Sequence, residues 1–363
     1  MRAGRRVQPH AALAVLALFV LAPSGSRAQT QAPVPTQAPP AEKKSNEPGP
    51  WQMAANVGIQ VAQSAFSSNW RGGANGSVVW SANGDLTAER QFSLKFNLKN
   101  RLQLAYGQTI QQRPDPNDPN VRVWDAPEKT TDQIVLESIG RFSLESFVDP
   151  YVALRGDSQF NDESNPLGSI PFNPVRLMET AGAARVFEKT EDREFTSRIG
   201  FGFRQTFAQS FTDPVTLEKT RFSATDGGFE WQTDLKRPIL DKRVLWKASL
   251  GVFQSVYYSQ TDDLDAYDAE AADSAAAAGT THGPIADFWK AVDVNFQTTL
   301  TSQITKMISV NLLFQWVYDK YDASANLDPT LPFSVRQAEV DRTVRKAGQY
   351  QEGLTLGITY RLL

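Results

Sequence analysis

Residues 91–106 (QFSLKFNLKNRLQLAY) alternate between apolar and polar side chains over sixteen positions. Because successive side chains of a strand point to opposite faces, this stretch predicts a strand with one apolar and one charged face. It is about three times as long as a typical soluble strand. Such a strand is typical of a transmembrane β-barrel, with lipid outside and water inside. A single long strand of a soluble sandwich is the alternative that this stretch alone leaves open.

The alternation recurs along the chain in about twelve segments, and their connections are alternately long and short. Short periplasmic turns, long extracellular loops and an even strand number are features of outer-membrane barrels. Aromatic residues near the predicted strand ends, among them Trp51, Trp80 and Trp246, fit belts at the two membrane surfaces. We therefore predict an all-β, transmembrane antiparallel up-and-down β-barrel of about 12 strands over residues 51–363. The predicted location is the bacterial outer membrane, with the N- and C-termini in the periplasm.

The N-terminal region has the features of a signal for export. Three arginines within the first six residues precede an apolar core at residues 11–22, and Ser26 and Ala28 place small side chains before a cleavage site. We predict a signal peptide over residues 1–28. Residues 29–50, rich in Pro, Gln and Ala, predict a disordered periplasmic linker.

Composition restricts the chemistry available to the 363-residue chain. It has no Cys, which excludes disulfides, zinc–thiolate sites and Cys nucleophiles, and its net charge of −3 argues against a nucleic-acid footprint. A Ser nucleophile normally needs a His base, and after the signal peptide only His282 is present, in a loop where we expect it to be exposed. We expect no enzyme and no cofactor, and an outer-membrane hydrolase is the third-ranked alternative.

The longest predicted loop, residues 261–285, contains six carboxylates that could act as oxygen ligands for Ca²⁺. Their spacing lacks the glycine and the terminal glutamate of an EF-hand loop. We therefore assign no metal site, and calcium binding by this loop stays open. The six residues are Asp262, Asp263, Asp265, Asp268, Glu270 and Asp273.

The polar positions, which alternate with the apolar ones along each predicted strand, include charged residues of both signs. These charges would line the barrel interior. The candidates are Lys95, Lys99, Arg101, Glu137, Arg141, Arg155, Arg198, Arg204, Glu230 and Asp293. The same reasoning predicts that Glu179 and Arg185 also point inward. About twelve strands enclose at most a small channel. We predict a small-solute channel or binding barrel, and the alternative is a structural or adhesion surface protein with a closed, salt-bridged lumen.

The C-terminal strand resembles the terminal signal that the barrel-assembly machinery reads. The matching residues are Thr355, Gly357, Tyr360 and Leu362, while Leu363 is an extra residue and a terminal Phe is missing. This resemblance implies the assembly machinery as a partner. The other expected partners are outer-membrane lipid and a small solute, and we expect a monomer that binds no nucleic acid.

Residues 66–75 (FSSNWRGGAN), followed by a Lys-Thr-Thr-Asp segment at 129–132, resemble an uncharacterised family of outer-membrane β-barrel proteins. Members carry a Phe-Ser-x-Asn-Trp-x-x-Gly-Gly-x-Asn motif, and this chain has one residue fewer before the first glycine. The resemblance is clearest over residues 57–160 and implies fold and location only. We expect a structural first loop, because glycines permit tight backbone conformations. Its motif residues are Asn69, Trp70, Gly72 and Gly73.

Overall fold

The computed structural model describes residues 47–64, 75–118, 121–144, 146–190, 192–213, 215–305, 308–344 and 347–361. The predicted signal peptide and the predicted linker up to residue 46 lie outside these residues. So do the motif residues Asn69, Trp70, Gly72 and Gly73 of the first loop. At the end of the predicted linker, the amide of Gly49 donates a hydrogen bond to the carbonyl oxygen of Gln91 at 3.1 Å.

Twelve antiparallel strands within the described residues form a closed barrel. They are β1 (Gln52–Ser64), β2 (Ser77–Ser93), β3 (Phe96–Pro114), β4 (Glu128–Phe142), β5 (Asp149–Ser158), β6 (Val175–Lys189), β7 (Glu194–Phe211), β8 (Lys219–Ile239), β9 (Val244–Tyr258), β10 (Val292–Gln303), β11 (Ile308–Tyr318) and β12 (Gln349–Arg361). Each strand pairs with its sequence neighbours, and β1 pairs with β12 to close the ring, Ile59 opposite Ile358. The predicted all-β, up-and-down barrel is confirmed.

The two ends of the barrel differ in their connections. The strand ends that are joined by short connections (94–95, 143–148, 190–193, 240–243 and 304–307) lie at one end of the barrel, here called the turn rim. The strand ends that are joined by long connections (65–76, 115–127, 159–174, 212–218, 259–291 and 319–348) lie at the other end, the loop rim. Three further short strands belong to the loops: Arg122–Trp124, Asn161–Asp162 and Ile170–Pro171.

The outer face of the wall is apolar and unprotected. Leu136 on β4 is 54% exposed and Phe229 on β8 is 55% exposed, and exposed apolar side chains recur on the other strands apart from β3. Water disfavours a continuous apolar surface of this extent, whereas lipid accepts it. The outer wall is therefore built for a membrane.

Aromatic pairs lie on the wall near both rims. Phe187 and Phe195 stack with ring centroids 4.7 Å apart beside the turn rim, and Trp80 and Tyr106 lie 6.0 Å apart towards the loop rim. Amphipathic aromatic rings favour the level of lipid headgroups. The two belts fit the two surfaces of one bilayer.

The strand predicted over residues 91–106 is divided by a turn in the structure. Strand β2 continues to Ser93, and a two-residue turn that contains Lys95 precedes β3. The Ser93 hydroxyl accepts hydrogen bonds from the amides of Lys95 (3.3 Å) and Phe96 (3.1 Å), a serine turn. Glu89 and Arg90 lie within β2. The apolar parity continues unbroken through the turn, so alternation alone did not reveal it.

The face of β6 was also predicted wrongly. Glu179 pairs directly with Phe203 and Leu154, which are exposed on the outer face, and directly opposed residues share a face. Glu179 and Arg185 therefore point outward, while Thr180 and Ala184 are buried inside. Because β6 contains several small side chains, apolar and polar residues alternate only weakly along it, and the sequence does not distinguish its two faces clearly.

The loop rim carries a packed cap, defined as residues 259–291 and 319–344. Two helices form within it, α1 (Thr261–Ala277) and α2 (Phe333–Thr343), so the segment predicted as a loop over residues 261–285 is largely helical. Alanines favour helix, and buried Leu264, Tyr267 and Ala271 recur at helical spacing along α1. No helix in the described residues is both long enough and apolar enough to cross a membrane.

The cap is anchored inside the barrel mouth. Its apolar core joins the buried face of α1 and Val340 of α2 to Ala224 of β8 and Tyr258 of β9. Tyr258 pairs directly with Asp226, which points into the barrel, so the cap rests on inward-facing wall residues. The cap therefore covers part of the opening at the loop rim.

Candidate functional site

The barrel interior contains ion pairs between strands that are not neighbours in the wall. Lys99 Nζ on β3 lies 2.7 Å from Glu194 Oε1 on β7, although three strands separate β3 from β7. Arg198 on β7 likewise pairs with Glu137 on β4. Contacts of this kind must cross the lumen. They divide into three levels between the turn rim and the cap.

The turn-side tier comprises Lys99, Glu194, Arg101 and Asp85. Arg101 binds Asp85 through two hydrogen bonds, Nε to Oδ1 at 3.1 Å and Nη2 to Oδ2 at 2.8 Å. The side chains of Lys99 and Arg101 remain 27% and 34% exposed inside the barrel. The enclosed space at this level therefore admits water.

The middle tier comprises Glu137, Tyr151, Arg155, Arg198 and Glu230. Arg198 has a side-chain exposure of only 6% and lies 5.8 Å from the centre of the buried Tyr151 ring. Glu230 is also buried, on the strand beside Arg198. The tyrosine ring and the opposed charges occupy the interior at this level.

A glycine on β7, separated from β5 by one strand, accommodates the Tyr151 side chain. Gly200 faces the interior, and a Cβ at this position would stand 2.7 Å from the Tyr151 hydroxyl oxygen. It would also stand 2.6 Å from the carbonyl oxygen of Ala181. Gly200 is therefore required for close contact between the tyrosine and the wall.

The cap-side tier comprises Arg204, Asp226 and Asp293 together with the base of the cap. Arg204 Nη2 lies 2.6 Å from Asp226 Oδ2 and 3.0 Å from Asp293 Oδ2. The Ser255 hydroxyl donates a further hydrogen bond to Asp226 at 2.8 Å. These contacts leave the Asp226 side chain 3% exposed. The carboxylate is held almost entirely out of water.

Two aspartates at the base of the cap respond in opposite ways to their surroundings. Burial, together with the nearby carboxylates of Asp293 and Asp322, raises the pKa of Asp319 to about 7 against the opposing charges of Arg204 and Arg176. Burial alone would also raise the pKa of Asp322. The charge and the 2.6 Å hydrogen bond of Arg176 outweigh burial and hold that pKa well below its ordinary value. The cap is thus tied to the wall through one firmly ionised carboxylate.

A vestibule of about 690 Å³ lies beside the cap at the loop rim. Its lining is polar and comes from the ends of β4, β5 and β6, the loop 159–174 and the cap. It extends inward to Asp157, which pairs directly with Arg176 across β5 and β6 and binds Arg155 of the middle tier at 2.9 Å. The vestibule therefore leads from outside towards the charged interior.

The structure places nine of the ten predicted lumen residues inside the barrel: Lys99, Arg101, Glu137, Arg141, Arg155, Arg198, Arg204, Glu230 and Asp293. Lys95 is an exposed turn residue and does not line the lumen. The residues that sequence reasoning missed include Asp85, Tyr151, Arg176, Glu194 and Asp322. Tyr151 and Glu194 share the parity of Arg155 and Arg198 respectively, so an available signal was overlooked.

His282 was expected to be exposed, but its side chain is largely buried. Its Nε2 lies 2.7 Å from Asp268 Oδ1, and the same carboxylate accepts hydrogen bonds from the amides of Ile285 (2.9 Å) and Ala286 (2.7 Å). Glu270 of the same helix is paired with Arg336 of α2. These groups hold the cap together. Within the described part of the chain, no group of three or more His, Asp or Glu side chains is placed to hold a metal ion.

Residues 61–163 match a family described as a protein of unknown function (DUF3078). This segment is less than a third of the chain and overlaps the region of resemblance to an uncharacterised barrel family. A comparison with curated proteins finds no match.

Several solved membrane barrels are similar to the chain at low identity. An outer membrane channel from Pseudomonas putida F1 is 11% identical, with 89% of this chain and 100% of that chain covered and a TM-score of 0.37. The translocator domain of the autotransporter NalP from Neisseria meningitidis is 8% identical, covering 85% and 87%, with a TM-score of 0.31. The NanC porin is 8% identical, covering 85% and 100%, with a TM-score of 0.31. At these scores the similarities carry no argument about function.

Proposed function

We propose that this protein is an outer-membrane β-barrel that lets small polar solutes through its lumen. One observation carries the proposal: charged side chains of the turn-side tier lie inside a closed barrel and still keep a quarter to a third of their surface exposed. Ions and polar solutes cross an apolar bilayer only through such a hydrated interior. The vestibule supplies an entrance at the opposite end.

The proposed location rests on the wall. Its apolar outer face and two aromatic belts suit a bilayer, and the predicted signal peptide would direct export. Both ends of the described chain lie at the turn rim, which in outer-membrane barrels faces the periplasm. Strands β1 and β12 pair over residues 56–60 and 357–361 and so close the ring, which favours a monomer in contact with lipid.

The middle tier would set the size limit of the channel. Arg198 and Glu137 form a cross-lumen pair there, and Tyr151 occupies space beside them. Paired charges of opposite sign hydrate the interior without giving it a strong net field. The tier therefore favours small polar solutes over large ones.

The alternative is a surface protein with a closed lumen. The packed core of the cap favours it, since Leu264 and Tyr267 are buried against wall residues rather than mobile in solvent. In that case the interior ion pairs would serve only to stiffen the wall.

Single-channel recording in planar bilayers tests the proposal. The refolded protein, with folding checked by heat-modifiable gel mobility, should give steady openings whose conductance rises with salt. A cap-loosening variant, Leu264→Asp, should open more often. Leu217→Asp, at an exposed loop position, is the matched control and should behave as wild type. Silence of wild type and Leu264→Asp in folded preparations would overturn the channel and favour the closed surface protein.

A further inference from the structure

Two lysines lie directly opposite each other on the inner face of the wall near the turn rim. Lys236 on β8 pairs with Lys247 on β9 in the strand register. Lys236 lies on the same face of β8 as the inward-facing Glu230, and directly opposed residues share a face, so both lysines point into the lumen. Like charges in directly opposed positions repel each other. This arrangement therefore favours a negative charge between or beside the two ammonium groups.

Lys247 has no fixed counterion. Its ammonium group forms no ion pair and no hydrogen bond with the described residues, and the residue is exposed within the lumen. The carboxylates that act on it across the lumen include Asp85 and Glu194. Each of these is already held by another cation, Asp85 by Arg101 through two hydrogen bonds and Glu194 by Lys99 at 2.7 Å.

A further carboxylate lies on the same part of the wall as the two lysines. Asp234 of β8 accepts hydrogen bonds from the Ser249 hydroxyl at 2.9 Å and from the Gln232 side-chain amide at 3.3 Å, which are neutral donors. It supplies one negative charge beside two lysines. The β8–β9 side of the turn-side tier therefore has an excess of positive charge.

Arg101 offers further donors from another side of the lumen. Its Nε and Nη2 bind Asp85, whereas its Nη1 donates no hydrogen bond to the described residues. Arg101 is also among the charged groups that act on Lys247, and β3 and β9 are not neighbours in the wall. Two cationic groups with unused N–H donors thus face the same hydrated part of the lumen.

We propose that the turn-side tier binds small oxyanions, such as inorganic phosphate, between Lys247 and Arg101. Lys247 Nζ and Arg101 Nη1 would donate charge-assisted hydrogen bonds to the anion's oxygen atoms. The bound charge would also offset the repulsion between Lys247 and Lys236. An anion with several acceptor oxygens uses these separate donors better than a halide ion, which is a single sphere.

This inference rests on the proposed channel function and deepens it, because it names the class of solute that the turn-side end of the lumen would favour. The binding site itself does not require an open channel. Binding and conduction can therefore be measured separately, and either one can fail alone.

Isothermal titration of inorganic phosphate into the refolded, full-length barrel in a nonionic detergent at low ionic strength tests the site. Wild type should bind phosphate and should not bind the neutral solute glycerol. Lys247→Gln should weaken phosphate binding about tenfold, since a charge-assisted contact is reduced to a neutral one. Lys247→Arg keeps the charge and should retain most of the binding.

Lys242→Gln is the matched control. Lys242 lies in the turn 240–243 at the same end of the barrel, but its side chain is 75% exposed and pairs with Asp192 of a neighbouring turn. Its loss removes the same charge from the same end of the molecule and should leave phosphate binding unchanged. Equal weakening by Lys242→Gln and Lys247→Gln would indicate a general effect of net charge and overturn the site.

The remaining outcomes separate the two proposals. Absence of phosphate binding by folded wild type, or equal binding by wild type and Lys247→Gln, overturns the oxyanion site even if the barrel conducts. Phosphate binding that Lys247→Gln weakens, in a barrel that is electrically silent, supports the site and overturns the channel.

Discussion

The turn-side and cap-side tiers use the same pairing chemistry in different surroundings. In the turn-side tier Arg101 and Asp85 keep 34% and 25% of their side chains exposed, whereas in the cap-side tier Arg204 and Asp226 keep 22% and 3%. Both tiers lie within one continuous wall. The cap, anchored on Ala224 and Tyr258, accounts for the drier end. Solvent access to a lumen charge is thus decided by what covers it as well as by the strand that carries it.

The different hydration of the two tiers has an energetic consequence. A partly hydrated ion pair contributes little to stability, since water already solvates both charges. Breaking a buried pair is costly because it leaves one charge without a partner or solvent. The interior should therefore be tolerant of substitution at the turn rim and sensitive near the cap.

The largest expected effect contrasts Arg204→Met with Lys99→Met. Loss of Arg204 leaves Asp226 buried and uncompensated, and we expect the free energy of unfolding to fall by about 3–5 kcal/mol. Lys99→Met should cost about 1 kcal/mol or less, because Glu194 is reached by water. Urea unfolding of the barrel in lipid vesicles measures both, with Arg243→Met at an exposed turn as control. Equal losses would remove the distinction between the tiers.

The second prediction tests the inward and outward faces on which both tiers depend. Leu312 is exposed on the outer face, and its neighbour Asn311 bonds Thr301 inside at 2.8 Å. Leu312→Arg should destabilise folding by about 2–4 kcal/mol, because the charge would enter lipid. Asn311→Arg should cost clearly less in the same unfolding assay. If it is equally damaging, the assignment of faces on β11 is wrong.

The third prediction concerns the pH dependence of the cap. A carboxyl whose pKa is raised to about 7 by burial favours the folded state when protonated, and this stabilisation is lost as pH rises from about 4 through 7. We expect the cap to open more readily at pH 8 than at pH 6. The change should be of the order of tenfold, since one pKa unit corresponds to a factor of ten.

Thiol labelling measures this opening, because the chain has no native cysteine. Ala323→Cys places a thiol in the buried core of the cap, and Val215→Cys places a reference thiol at an exposed loop position. The ratio of the two labelling rates should rise with pH. It should become flat when Asp319→Asn is added. A ratio that rises unchanged in the Asn variant would exclude Asp319 as the titrating group.

The smallest expected effect compares conductance at two levels of the lumen. The charge-neutral double variant Glu137→Ala/Arg198→Ala removes a cross-lumen pair at the middle tier, where we propose the constriction, and we expect conductance to rise about twofold. Lys99→Ala/Glu194→Ala removes a pair from the turn-side tier and should change conductance less. The reverse order would place the constriction at the turn rim.

Sequence alternation predicted the barrel because a wall between lipid and water requires opposite chemistry on successive residues. The argument succeeded where contrast was strong, as on β7, where Ile199 and Phe203 point outward and Arg198 and Arg204 inward. It failed on β6, where small residues weaken the contrast around Glu179. It also failed at Lys95, because apolar and polar residues keep alternating without a break through the two-residue turn.

The site was predictable only in part. Inward charges could be assigned one strand at a time, but their partners could not, since Lys99 and Glu194 are 95 positions apart in sequence. The cap was missed because loops were expected at the barrel ends, although Leu264, Tyr267 and Ala271 recur at helical spacing. The vestibule is lined by wall and cap residues from several segments, so no single segment of the sequence predicts it.

The amino-acid sequence by itself determined the closed antiparallel barrel, its strand number and the chemistry of its two faces. These properties follow from local alternation and from the need to pair every strand edge in a membrane. Only the tertiary structure decided which charges meet across the lumen, which tier is dry and where a polar vestibule remains. Those features depend on distances between segments far apart in sequence, and such distances exist only once the ring has closed and the cap has packed into it.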